Sequence, residues 1–149
     1  MHGHLIDQHG QVNRFSLTRV HLIGDDVPYG FPTDLAVPVI DGERLSEVCG
    51  SLPGVDVSLV APPSRHWLGS PEYVESDRAV VLDGDCGEAG CCGTMARISI
   101  FREVVRWDDF YLPGDQLGRA KNLKFVFDRR EYETAIDAVL TLTAVAEAL

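Results

Sequence analysis

Hydrophobic and polar positions first fall into step at Phe15. Phe15, Leu17, Arg19, His21 and Ile23 share one face of an extended segment and Ser16, Thr18, Val20 and Leu22 the other, a period of two that predicts a strand. Before it, His2, His4 and His9 stand among Gly and Gln with little to anchor them, so residues 1–13 read as a mobile N-terminus. After it, Pro28, Pro32 and Pro38 punctuate the chain; fixed φ and missing N–H groups favour an irregular loop over a central strand. "VPVIDGERLSEVCG" then predicts a short strand feeding a short helix near 42–49, with Asp41 as N-cap and Gly50 past its end. Leu45, Val48 and Cys49 share one helical face, which makes Cys49 a small core hydrophobe. Val55–Val60 reads as another strand. The Pro-rich stretch after it is a loop in which Trp67 anchors against the core, or in which Arg65, His66 and Trp67 form a partner-binding patch.

The second half is patterned more strongly. Ala79–Leu82 is a continuous apolar strand, and two alternating runs flank Arg102 and Glu103. Folded as a hairpin about that centre, the runs place Phe101 opposite Val104, Ile100 opposite Val105, Ser99 opposite Arg106, Ile98 opposite Trp107 and Arg97 opposite Asp108. Ile98, Ile100, Val105 and Trp107 then face the core, while Arg97 and Asp108 form an outward ion pair. "LKFVF" is a last strand. From Asp128, whose Glu131 three places on suggests a capping box, the stripe Tyr132, Ile136, Val139, Leu140 and Thr143 predicts a long C-terminal helix near 128–148. Its second half is apolar nearly all round, which suits a homodimer built on that helix. The fold class is therefore α+β: a mainly antiparallel sheet, a short helix near 42–49 and the long C-terminal helix, in one domain spanning 14–149.

Composition narrows the partners. A chain of 149 residues, 45% hydrophobic, buries a core without a staple, and no apolar stretch reaches the ~20 residues a bilayer requires. A cytoplasmic protein with free thiols or metal-bound cysteines is expected. The formal net charge of −10 opposes a phosphate backbone, so nucleic acid is not expected as a partner; an acidic surface can welcome a basic protein, although most acidic domains are simply soluble.

Candidate chemistry concentrates in "LDGDCGEAGCCG", which holds Cys86, Cys91 and Cys92. Structural zinc takes four ligands, usually in two close pairs, and no second pair stands nearby. A calcium loop is rejected, because Gly87 stands where a third ligand belongs and Glu88 replaces the required glycine. Asp83, Asp85 and Glu88 raise a neighbouring thiol's pKa and dull it as a nucleophile. Gly84, Gly87, Gly90 and Gly93 equally suit a tightly wound structural turn. No G-x-S-x-G, P-loop, G-x-G-x-x-G or H-E-x-x-H pattern occurs, and the adjacent pairs Asp25–Asp26 and Asp108–Asp109 point to opposite faces of a strand, so no catalytic residue is assigned.

The run "CGEAGC....ARI......V.W.DF", followed by "FVFDRREYETAI", resembles a family of small uncharacterised bacterial proteins with a C-G-x-x-G-C loop, an A-R-I strand, and W-x-x-F and F-D-R-x-x-Y elements. The resemblance spans Val80 to Ile136 and implies no activity. In that family a further cysteine often stands two places before the first; here that place is Gly84.

The sequence thus reads as a non-enzymatic, acidic protein-interaction domain. The alternative is a metal-binding or redox-active domain, with zinc as the cofactor, centred on Cys86, Cys91 and Cys92.

Overall fold

The computed structural model describes residues 12–24, 27, 33–47, 52–70, 74–75, 77–84, 93–112 and 122–148. Its elements are β1 (Phe15–Ile23), β2 (Asp34–Ile40), β3 (Glu43–Arg44), a 3-10 turn (Leu45–Glu47), β4 (Val55–Asp56), α1 (Val57–Val60), β5 (Val74–Glu75), β6 (Arg78–Leu82), β7 (Thr94–Ile100), β8 (Val104–Tyr111), β9 (Phe125–Asp128), α2 (Arg129–Asp137), a second 3-10 turn (Val139–Thr141) and β10 (Val145–Ala148). They form two five-stranded sheets. The first runs β10-β1-β2-β3 with β4 also on β2, and the second is the meander β5-β6-β7-β8-β9.

Hydrogen bonds stitch the sheets together at two places. On one side the Asn13 N–H donates to the Val126 carbonyl at 2.6 Å, carrying β9 onto the start of β1. On the other, the Asp83 N–H donates to Gly54 O at 3.0 Å and the Leu52 N–H to Asp83 O at 3.2 Å, tying the end of β6 to the segment entering β4. Between them lies the main core, an aromatic cluster of Phe15, Trp67, Trp107, Phe127 and Tyr132, with ring centroids 4.7 Å apart for Phe15–Tyr132 and 5.1 Å for Trp67–Trp107. Tyr132, kept protonated by burial, donates from its hydroxyl to Trp67 O at 2.6 Å and accepts the Trp107 indole N–H at 3.2 Å. Tyr132→Phe therefore orphans both groups inside the core. It is expected to cost about 1–3 kcal/mol in urea unfolding, and a loss well below that range would contradict the network.

The alternation in β1 changes face halfway. Phe15 and Leu17 enter the main core, whereas Val20 and Leu22, on the opposite face, join Leu35 and Val37 in a second small cluster. Pro38 lies inside β2 rather than in a loop. It fits because on that edge β3 pairs only Val39 and Ile40 and β4 only Leu35 and Ala36, so Pro38 falls in the gap between them.

The expected α+β architecture is overturned: the protein is mainly β, and the long C-terminal helix near 128–148 is absent. Asp128 does cap α2, accepting the Glu131 N–H at 2.9 Å, but Glu131 reaches across to the Phe15 N–H instead of closing a capping box. The helix stops at Asp137, and Val145–Ala148 pairs in parallel with Val20–Ile23. Thr141 Oγ1 donates back to Ala138 O at 2.7 Å, the local competition with helix that Thr brings, and Arg19 holds the turn by donating to Leu140 O at 3.0 Å. The helix near 42–49 is replaced by β3 and the Leu45–Glu47 turn; Asp41 takes positive φ (54°) in a β-turn, and Val48 to Gly50 fall outside the described residues. In the Val55–Val60 strand, Asp56 captures the Ser58 N–H and Oγ and turns the chain into α1 after two strand residues.

The hairpin matches expectation residue for residue, from Arg97↔Asp108 to Ile100↔Val105. The outward ion pair does not. A bulge places Asp109 and Phe110 opposite Ala96, with Asp109 at φ 53°, and swings the Asp109 carboxylate between Arg78 at 2.9 Å and Arg97 at 3.1 Å, while Asp108 pairs with Arg106. The hydrogen bond from Arg78 holds the Asp109 carboxyl below its ordinary pKa.

Candidate functional site

The hairpin of β6 and β7 carries the cysteine loop. Leu82 pairs with Thr94 at its foot, after a register shift between Val80 and Leu82, and the foot is drawn tight at Gly93, where a Cβ would lie 2.6 Å from Leu82 O. Cys86, Cys91 and Cys92, and Cys49 as well, lie outside the described residues. What can be described is the stem on which the loop stands.

That stem buries two polar side chains. Asp83 is 5% exposed and Thr94 1%, yet Asp83 Oδ1 and Thr94 Oγ1 find no hydrogen-bond partner among the described residues. Burial pushes the Asp83 carboxyl up to about 6; a hydrogen bond from the Asp56 backbone opposes the shift and the Asp56 carboxylate adds to it. Asp83 is fixed in place by its own backbone, paired to Gly54 and Leu52 across the seam between the sheets. The stem thus places two buried oxygen atoms, each open among the described residues, at the mouth of a loop that carries three thiols in sequence. A buried carboxylate oxygen and a hydroxyl left open in this way suit a proton or a cation.

The trio Arg65, His66 and Trp67 divides. His66 and Trp67 are fully buried, and both ring N–H groups donate to the Val80 carbonyl at 3.0 Å, so they brace the strand leading to Asp83. Arg65 is the exposed member, donating to Leu68 O at 3.2 Å. A separate groove of about 630 Å³ beside α2 sets Arg102, Arg129 and Arg130 against Glu103, Asp128, Glu133 and Asp137. Its acids outnumber its bases by one, and Arg129 is already paired with Glu133 at 2.9 Å.

Among the described residues no three His, Cys, Asp or Glu side chains gather as a metal site, and no helix is long and apolar enough to cross a membrane. Sequence reasoning passed over Thr94 and treated Asp83 only as a charge near the thiols. The signal available was an acid and a hydroxyl set directly against apolar strand residues on either side of the loop. No protein-family model, curated protein or solved structure matches the chain.

Proposed function

We propose that the protein is a small metal-binding domain in which Cys86, Cys91 and Cys92 hold a zinc ion and Asp83 supplies the fourth, oxygen ligand. The sequence offered three thiols and no fourth partner. The observation that carries the reading is the buried Asp83 Oδ1 at the loop's foot, which has no hydrogen-bond partner among the described residues. Zinc accepts thiolate sulfur together with carboxylate oxygen in four-coordinate sites. Covalent geometry allows the reach: Cys86 is three residues from Asp83 and Cys92 two from Thr94, at most about 10 and 7 Å of chain. The charge balance also fits, since a buried carboxylate that is costly alone is stabilised by a divalent cation. Binding would release the thiol protons, so affinity rises with pH.

Anaerobic titration with cobalt(II), which reports thiolate ligation and tetrahedral geometry in its visible spectrum, tests the ligand set. Saturation at about one metal per chain, abolished in Cys86→Ser and weakened about 10–100-fold in Asp83→Asn, is the expected result. Absence of thiolate bands, or an Asp83→Asn protein that binds as tightly as the parent, would overturn it.

A further inference from the structure

We infer that β10 is a strap that opens and closes on the first sheet without the rest of the fold unfolding, and that the Arg44–Glu147 ion pair is its clasp. The strap has little hold on the core. None of the residues from Thr143 to Ala148 is buried, and Val145 is 59% exposed. The last core contacts before it come from Val139, fully buried, and from Leu142, which packs half-buried against the main cluster. Arg19 pins that same stretch, donating to Leu140 O at 3.0 Å and Leu142 O at 3.5 Å while it also donates to the Asp34 carboxylate at 2.8 and 3.0 Å. The anchored chain therefore ends at Leu142, and Thr143 and Ala144 are the hinge.

The clasp joins the two ends of one sheet. In the order β10-β1-β2-β3, Arg44 pairs with Val39, Val39 with Ser16, and Glu147 with Leu22. In a flat sheet those positions would lie about 14 Å apart across the strands and about 20 Å along them, beyond the reach of the two side chains. Yet the Arg44 guanidinium meets both Glu147 oxygens at 2.8 and 2.9 Å, so the sheet is curled. Register gives the side: Arg44 and Glu147 belong to the face that carries Val20, Leu22, Leu35 and Val37. Those four residues are the second small cluster, and no residue of β10 is a member of it. β10 thus closes the curl beside that cluster through its pairing with β1 and one bidentate ion pair.

An element held this way has an opening equilibrium of its own. Little apolar area returns to water when β10 leaves, so only the strand pairing and the clasp oppose its release. Local preference does not hold it either, since Ala144, Ala146, Glu147 and Ala148 favour helix over strand. The clasp is half-exposed, with side-chain accessibilities of 31% for Arg44 and 34% for Glu147, which leaves it open to screening by salt. Opening bares the backbone of Val20–Ile23 and the flank of Val20 and Leu22. The state of one ion pair therefore decides whether β1 is an inner strand or an edge.

Amide hydrogen exchange of the full chain, read residue by residue, tests this. The amides of Val145–Ala148 should exchange through an opening that leaves the β1–β2 pairs closed, and Arg44→Ala or about 1 M salt should speed them about tenfold while β7 and β8 exchange as in the parent. Reversing the pair, with Arg44→Glu and Glu147→Arg together, should restore the parent rate, which a merely structural loss at position 44 would not allow. Exchange of β10 only with global unfolding, a rate indifferent to both Arg44→Ala and salt, a rise shared equally by β7 and β8, or a reversed pair that restores nothing would each overturn the inference. Should Arg44→Ala fail to fold, the salt dependence of the parent decides it.

Discussion

Asp83→Asn should raise the stability of the metal-free protein at neutral pH and erase a pH dependence that the parent shows. In the folded chain burial holds the Asp83 proton up to about pH 6, against 3.8 for an ordinary aspartate. Between those values the native state binds more protons than the unfolded state, so unfolding free energy falls as pH rises. The stability linked to this group is fully present below pH 3.8, declines through the window up to about 6, and is absent above it. At about 1.4 kcal/mol per unit, the difference between the two pH limits approaches 3 kcal/mol. Asparagine keeps the shape and the acceptor toward Asp56 but carries no charge at any pH. Urea unfolding of both proteins in chelator across this range checks it: the variant should gain on the parent as pH rises, and parallel curves would show that Asp83 is not the buried acid described.

Gly54→Ala should be among the most damaging single-methyl additions to this protein. A Cβ there would land against the carbonyl of Ala36 and within 3.0 Å of Val37 Cα, backbone atoms of the fully buried centre of β2 that no side-chain rotation can move. The same residue's carbonyl receives the Asp83 N–H, so relief by backing away opens the seam between the sheets. Overpacking against backbone at such a place should cost about 3 kcal/mol or more. Gly42→Ala is the control: its Cβ meets nothing, and only the positive φ of 86° is strained, so its cost should stay near 1 kcal/mol. Comparable losses in the two variants would show that the close approach at Gly54 is not as described.

What was legible in the sequence was local. The hairpin about Arg102 and Glu103 could be read to the residue because alternation on both runs admits one register with the apolar faces together, and Asp128 was legible as a cap because capping needs only a side chain and the next turn. The bulge at Asp109 was hidden, since it depends on Arg78 from β6, two strands away in the sheet. The end of α2 was hidden too. Ala, Leu and Glu after Val139 suit a helix, but Thr141, Thr143 and Val145 suit a strand equally, and the choice is made by β1, more than a hundred residues away. Asp83 illustrates the same limit at the candidate site. Its neighbours in sequence make it another loop carboxylate, whereas the seam formed by Leu52, Gly54 and Asp56 makes it a buried one.

The central claim, that the loop and its stem form one metal site, is tested most directly by elemental analysis. The parent, Cys86→Ser and Asp83→Asn would be purified without chelator or affinity metal and analysed alongside an anaerobic thiol titration. About one zinc per parent chain, absent from Cys86→Ser and reduced in a fully folded Asp83→Asn, is the predicted result. A parent free of metal even after exposure to zinc, or an Asp83→Asn protein holding as much zinc as the parent, would contradict it.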